Sequence, residues 1–257
     1  MPCPHPRTTL ARRLLTGALL GAALVTLVAC EPMTITTPKL FYHDKEFVLA
    51  NGPDAVVTHD GLVEVVDPIL REAFLRPDVN WRDYDEILLE PLQISVDYAR
   101  LNEKRQHDFG SVAKFELEEE DFETLRGDFH EEMLKGLQRN GSFRIVEEPG
   151  RRVLRLSAIL IDYQLNAPTE GSRDSQTKTY TAATSTMTVM AEARDSVSGE
   201  ILLRVADTKT PTGNLQLNVK ARNRGDVKYT FQVWSNTFRR RLEVLRKQGV
   251  VSVEPKA

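Results

Sequence analysis

The sequence predicts an α+β fold: a mostly antiparallel sheet with two helices packed on one face, preceded by a signal peptide and a tether. Three observations carry this reading. Residues 122–137 and 231–245 place apolar side chains at spacings of three and four, the stripe of a helix with one buried face. Residues 151–163 alternate with the period of a strand. Two further alternating runs, 187–193 and 201–205, flank the turn Asp195-Ser196-Val197-Ser198-Gly199. The composition suits such a core: 41% of the 257 residues are hydrophobic and 28% are charged, which is ordinary for a globular chain. Two cysteines are too few for a disulfide scaffold, and a formal charge of −3 does not suggest a nucleic-acid binder.

The elements follow in order. Residues 1–29 read as a signal peptide: Arg7, Arg12 and Arg13 precede an uncharged run from Leu14 to Val28, and Ala29 is small. About fifteen apolar residues fall short of the ~20 needed to span a bilayer. Leu27-Val28-Ala29-Cys30 resembles the lipobox of bacterial lipoproteins. The resemblance implies cleavage before Cys30, with Leu27, Val28 and Ala29 as the cleavage motif. It also implies a diacylglyceryl thioether on the Cys30 sulfur and acylation of the new amino group by a fatty acid such as palmitate. Cysteine suits this role because only a thiolate attacks a lipid donor readily at neutral pH. Two other readings stand beside it: an ordinary secretory signal with Cys30 kept as a thiol, and an uncleaved anchor helix. Glu31 is not the aspartate that retains Gram-negative lipoproteins in the inner membrane, so the expected location is the outer membrane, lipid-anchored and facing the periplasm. Acyl chains at ~0.8 kcal/mol per buried CH₂ make such an anchor permanent in effect.

Removal of residues 1–29 leaves 228 residues and, with three arginines gone, a formal charge of −6. Residues 30–40 form the lipidated cysteine and a tether, with two prolines, three threonines and no helical period. Residues 41–80 read as an N-terminal extension, with short strands at Val56-Val57 and Leu62–Val66 split by Asp60-Gly61, and a helical turn or two from Pro68 to Leu75. The α+β domain occupies 81–250. Ile87, Leu89, Ile94 and Val96 mark a β run that Pro91 interrupts. Glu118–Asp121 lead into a helix with the stripe Phe122, Leu125, Phe129, Met133 and Leu137, stopped by Asn140-Gly141. Leu154, Leu156, Ala158 and Leu160 share one face of the next strand, while the other face turns apolar at Ile159 and Ile161. Residues 166–185 read as a hairpin end rich in Thr and Ser. Asp226 caps a final helix whose stripe is Phe231, Trp234, Phe238, Leu242 and Leu245. The second sheet face must be solvated, covered by the N-terminal extension, or covered by a partner.

Several motifs occur in one order: the lipobox, Trp81-Arg82-Asp83-Tyr84, Glu147-Glu148-Pro149-Gly150 before Val153-Leu154-Arg155-Leu156, the 191–200 hairpin, and a final Trp-containing helix. Together they resemble an uncharacterised bacterial lipoprotein family, catalogued as a domain of unknown function, over roughly residues 75–248. These motifs are structural, and the resemblance implies a fold and a location without an activity.

The chemistry is sparse. His130-Glu131-Glu132-Met133-Leu134 nearly matches the zincin helix, but that chemistry needs a second histidine where Leu134 stands. No nucleophile elbow, phosphate loop or dinucleotide fingerprint is present. The acids Glu116 and Glu118–Asp121 suit the start of a helix dipole better than a cation. Arg239-Arg240-Arg241 with Arg246-Lys247 suits a helix end, or an electrostatic contact with anionic lipid or an acidic protein. The expectation is a non-enzymatic binding or accessory lipoprotein of the cell envelope. It would have no catalytic residues, metal or cofactor, no nucleic-acid partner, a membrane partner through its lipid, and an envelope protein of unidentified kind as a possible second. The alternative is an envelope hydrolase or polymer-processing enzyme with a site assembled from distant residues, near His107 or the 166–185 loop.

Overall fold

The computed structural model describes residues 45–50, 55–65, 69–95, 119–165, 180–182, 185–211, 216–217 and 220–251. The signal peptide, Cys30, the tether, His43, His107 and most of the 166–185 loop lie outside the described residues. In chain order the elements are β1 (Val63–Glu64), β2 (Glu72–Leu75), β3 (Glu86–Leu89), β4 (Gln93–Ile94), α1 (Glu119–Leu137), β5 (Arg144–Ile145), β6 (Val153–Leu165), β7 (Tyr180–Thr181), β8 (Ser185–Asp195), β9 (Ile201–Lys209), β10 (Gln216–Leu217) and α2 (Lys220–Gln248).

Eight strands form one sheet in the order β1-β2-β9-β8-β6-β3-β5, with β4 also on β6; β7 and β10 pair separately. The long antiparallel trio β6, β8 and β9 is its centre, as the alternating runs and the Asp195–Gly199 turn predict. The turn is held by the Asp195 carboxylate, which accepts from the backbone N–H groups of Val197 and Ser198 at 3.0 and 2.7 Å. Gly199 closes it at φ 74°.

Three local readings change. First, β3, β4 and β5 are parallel to their neighbours, so the sheet is mixed at one side and antiparallel elsewhere. Pro91 lies between β3 and β4 and divides one β run into two short strands on the same partner. Second, residues 72–75 are a strand, where Pro68 to Leu75 read as helical turns. Ala73 and Leu75 are buried while their backbone pairs with Val205 and Leu203, so β9 dictates the conformation. Third, the last helix starts at Lys220, six residues before Asp226. Asp226 lies inside it, and its carbonyl accepts from Thr230 Oγ1 at 2.9 Å.

The register of β6 slips at Ile161, between the pairs Leu160–Val189 and Asp162–Thr188. A bulge of one residue inverts the alternation beyond it. Ile161 is thereby left 42% exposed, while Tyr163 joins Leu154, Leu156, Ala158 and Leu160 on the core side. There, burial and then the nearby Asp121 push the Tyr163 phenol up to about 12.

Both helices cover this core face. Leu125, Phe129, Met133 and Leu137 of α1 are buried, as are Phe231, Trp234, Phe238, Leu242 and Leu245 of α2. Asp128 meets Arg224, Gly136 meets Ser235 and Ser142 meets Glu243, so numbers rise together and the helices run parallel. A Cβ at Gly136 would lie 2.6 Å from the Ser235 Cβ, which makes this the close crossing of the pair. Phe129 and Phe231 meet edge to face beside it, 5.5 Å between centroids.

The opposite sheet face is polar and partly solvated. Arg204 bridges Glu192 at 2.7 Å and Asp60 at 2.7 Å, so the turn carrying Asp60 reaches this face from the N-terminal side. Thr188 and Thr208 bond across the strands at 3.0 Å. Phe47 and Leu49 are buried in the core, and Leu49 bridges Val65 of the region beside β1.

Candidate functional site

Three groups of charged residues lie in the interior or at its rim. The first is Asp207. Leu203, Val205 and Asp207 occupy successive inward positions of β9, so strand geometry aims a carboxylate at the helices. A buried charge is tolerable only when paired. The Trp234 indole N–H donates to Asp207 Oδ2 at 2.9 Å, and Lys209 Nζ lies 2.8 Å from the same oxygen. Beside this group is a cavity of about 40 Å³, lined by Phe129, Met133, Leu156, Ala158, Trp234 and Phe238 among others. A single water needs roughly 10–15 Å³ of such space, so the cavity holds no substrate beyond a few atoms. Asp207 therefore fixes the rotation of α2 on the sheet. Sequence reading missed it, although an acid at an inward position of an alternating strand is the available signal.

The second group joins the helices. Arg224 donates to both oxygens of Asp128, each at 3.0 Å. Lys228 lies 2.7 Å from Glu131 and 3.6 Å from Asp128, and Lys135 lies 2.5 Å from Glu131. Lys135 first and Lys228 second hold the Glu131 carboxyl down at about 2. The near-zincin helix is thus explained. His130 points to solvent, while Glu131 and Glu132 belong to an interhelical ion network. Among the described residues no group of three or more His, Cys, Asp or Glu is placed to hold a metal ion.

The third group is the basic run of the last helix. Two of its arginines face inward. Arg241, 1% exposed, donates from Nη1 to the Lys45 carbonyl at 2.6 Å, and its guanidinium sits 3.8 Å over the Phe47 ring. Arg239, 5% exposed, bonds Glu243 at 2.5 Å. Gln248 completes the fastening of the N-terminal segment: Phe47 N–H donates to Gln248 Oε1 at 3.0 Å, and Gln248 Nε2 donates to the Phe47 carbonyl at 2.9 Å. Sequence reading took these residues together, as cations suited to a helix end or to an electrostatic contact; the helical period separates them, burying Arg239 and Arg241 and leaving Arg240, Arg246 and Lys247 partly or fully exposed.

With Arg82 and Glu243, Arg246 and Lys247 line an open groove of about 300 Å³ at the carboxyl end of α2. Arg82 comes from the 3₁₀ turn Trp81–Asp83, and its Nη2 donates to the Lys247 carbonyl at 3.3 Å. Arg246 donates to the Ser142 carbonyl at 2.6 Å and lies 5.0 Å over the Phe143 ring. Glu243 bonds Arg239 and the Ser142 hydroxyl. None of Arg82, Arg246 and Lys247 forms an ion pair among the described residues, so the groove presents three cations.

The sequence-predicted cleavage and lipidation residues Leu27, Val28, Ala29 and Cys30 lie outside the described residues. Among the described residues no helix is long and apolar enough to cross a membrane.

A family model described as "Protein of unknown function (DUF3313)" matches residues 60–238. No curated protein matches the chain. Several solved structures are similar at low identity. A PelC dodecamer from Paraburkholderia phytofirmans has a TM-score of 0.34 and 10% identity, covering 65% of this chain and 94% of that one. A Xanthomonas campestris protein of the DUF330 family model has a TM-score of 0.36 and 10% identity, covering 79% and 97%. A neuraminyllactose-binding hemagglutinin homologue from Helicobacter pylori has a TM-score of 0.29 and 11% identity, covering 67% and 92%.

Proposed function

The chain belongs to the DUF3313 family of proteins of unknown function, and from that premise we propose that it is a lipid-anchored lipoprotein of the bacterial cell envelope. It faces the periplasm from the outer membrane and acts by binding rather than by catalysis. The observation that carries the anchor is Leu27-Val28-Ala29-Cys30 behind a basic start and an uncharged run, with Glu31 next. Fifteen chain steps lead from Cys30 to Lys45, the first described residue, and at ~3.3 Å each they reach at most ~50 Å. The folded domain then works close to the bilayer.

Support for a binding role comes from the interior ions. Asp207, Asp128, Glu131 and Arg241 each tie one element to another or to a neighbouring segment. An envelope protein as partner fits a tethered domain with one polar sheet face. The anchor is tested by mass spectrometry of the mature N-terminus. A diacylglyceryl thioether on Cys30 is the expected result, and an unmodified Cys30 overturns the proposal. The binding role is tested with Cys30→Ala. The variant is expected to fold with an unchanged thermal midpoint while losing its role in the envelope. Full function without the anchor would reject it.

A further inference from the structure

The groove at the end of α2 has features that its helix alone does not explain. Cations at a helix carboxyl terminus are favoured by the dipole, which accounts for Arg246 and Lys247. It does not account for Arg82, which arrives from the 3₁₀ turn, 165 residues before Lys247, and adds a third positive charge to the same recess. Like charges brought together repel unless a counter-charge is near. The one carboxylate lining the groove, Glu243, is engaged by Arg239. Asp85 lowers the cost near Arg246 but is already bidentate to Arg152.

The cations are also held in place. Arg82 caps the Lys247 carbonyl, and Gly249 at φ 84° lies beneath it. The positive φ favours glycine there, and a Cβ at residue 249 would be 2.9 Å from Arg82 Nε, so the guanidinium packs directly on this backbone. Arg246 is fixed by Ser142 and Phe143. The neighbouring residue Gln248 clamps Phe47, so the first described residues of the chain lie against the last turn of α2.

We propose that the groove of Arg82, Arg246 and Lys247 takes the headgroup of an anionic phospholipid of the bilayer that holds the anchor, and so sets the orientation of the domain on the membrane. The inference rests on the lipoprotein reading. Guanidinium forks match phosphate oxygens in pairs, and the ammonium of Lys247 adds a point charge. An anchor at Cys30 keeps the groove within reach of the membrane surface, and a headgroup held there removes the rotational freedom that a bare tether leaves.

The test uses the mature chain from residue 30 with Cys30→Ala, so that no acyl chain contributes to binding. Co-sedimentation is measured with vesicles of phosphatidylcholine alone and of phosphatidylcholine mixed equally with phosphatidylglycerol. Binding is expected to the mixed vesicles and to weaken with salt. Each neutralised cation is expected to lower it about fivefold, from the worth of one basic residue at an anionic surface. Lys247→Gln is exposed and leaves the packing intact, so it shows the single step without unfolding. The triple variant R82Q/R246Q/K247Q shows a loss of about a hundredfold on the same basis. Arg82→Lys with Arg246→Lys keeps the charge and most of the binding. Equal binding to both vesicle types overturns the proposal, as does binding that Lys247→Gln leaves unchanged. Binding of inorganic phosphate with no preference for the anionic vesicles overturns it too. None of these readouts depends on lipidation, so an unmodified Cys30 and an inert groove are separate failures.

Discussion

Gly136→Ala is expected to destabilise the domain, although alanine is the better helix former. The substitution by itself favours α1 by about 0.8–1 kcal/mol. Against that, the new Cβ would meet the Ser235 Cβ at 2.6 Å and its backbone carbonyl carbon at 3.1 Å, with the hydroxyl closer still. Ser235 is fully buried and its hydroxyl donates to the Gln232 carbonyl at 3.0 Å, so it has nowhere to turn. The helices must part by about 1 Å, which forfeits a quarter to a half of the dispersion energy along the seam. The seam includes the Phe129–Phe231 edge contact. Overpacking of this kind costs about 1–3 kcal/mol, and separation of the aromatic pair adds up to about 1 kcal/mol. The net expectation is a loss of about 1–3 kcal/mol in urea denaturation followed by far-UV circular dichroism, with the thermal midpoint lower by roughly 5 °C. Gly127→Ala is the internal control, because that position on the same helix has no atom within 4 Å of a new Cβ. It is expected to stabilise by about 0.5–1 kcal/mol. Ser235→Gly combined with Gly136→Ala is expected to recover much of the loss, a coupling of at least about 1 kcal/mol. If Gly136→Ala stabilises as much as Gly127→Ala does, the helices do not cross at this pair and the reasoning is refuted.

Trp234→Phe removes the indole donor from buried Asp207 and leaves Lys209 beside it. A cost of about 1.5–3 kcal/mol follows for a hydrogen bond to a charged group, read by urea denaturation; a cost near zero would mean that Asp207 is satisfied without Trp234. Ala158→Val fills part of the 40 Å³ cavity and is expected to stabilise by up to about 1 kcal/mol, at ~24 cal/mol per Å³; a lowered thermal midpoint would show that the cavity walls cannot accept the methyl groups. Asp60 is held well below the usual carboxylate range by the Thr58 hydroxyl and then by Arg204. Its folded pKa is therefore the lower one, so its contribution is complete above pH ~4 and is lost as the pH falls below that. Asp60→Asn is expected to cost about 1 kcal/mol at neutral pH and to make stability less steep below pH ~4; an unchanged acid limb would count against the Asp60–Arg204 bridge.

The helices and the long hairpin were legible because their signals are local. One stripe of five residues defines the buried side of each helix, and Asp195 with Gly199 specifies a turn within five positions. The parallel placement of β3 and β5 was not legible, since the neighbours of a short strand depend on where α1 returns the chain. Glu72–Leu75 has too few residues to show a period, and its conformation comes from β9. The start of α2 at Lys220 was missed because Asp226 reads as a cap, whereas Arg224 and Lys228 engage α1 from within the helix. The inward arginines were hidden by their adjacency in sequence: Arg239, Arg240 and Arg241 are consecutive, yet a rotation of about 100° per residue sends them to different surroundings. The lipidation motif was read from sequence alone.

The clamp between Phe47 and Gln248 joins residues 201 apart, almost the two ends of the described chain. Synthesis proceeds from the amino terminus, so Phe47 is made early and finds its partner only when the last helix is complete. Phe47 is thus among the first residues of the domain to appear and gains its Gln248 clamp among the last. The same join determines how the folded protein bears load. A pull on the chain before Lys45 passes through Arg241 and Gln248 into α2 before it reaches the central strands. Tension applied there is met first by a helix of 29 residues packed along its length.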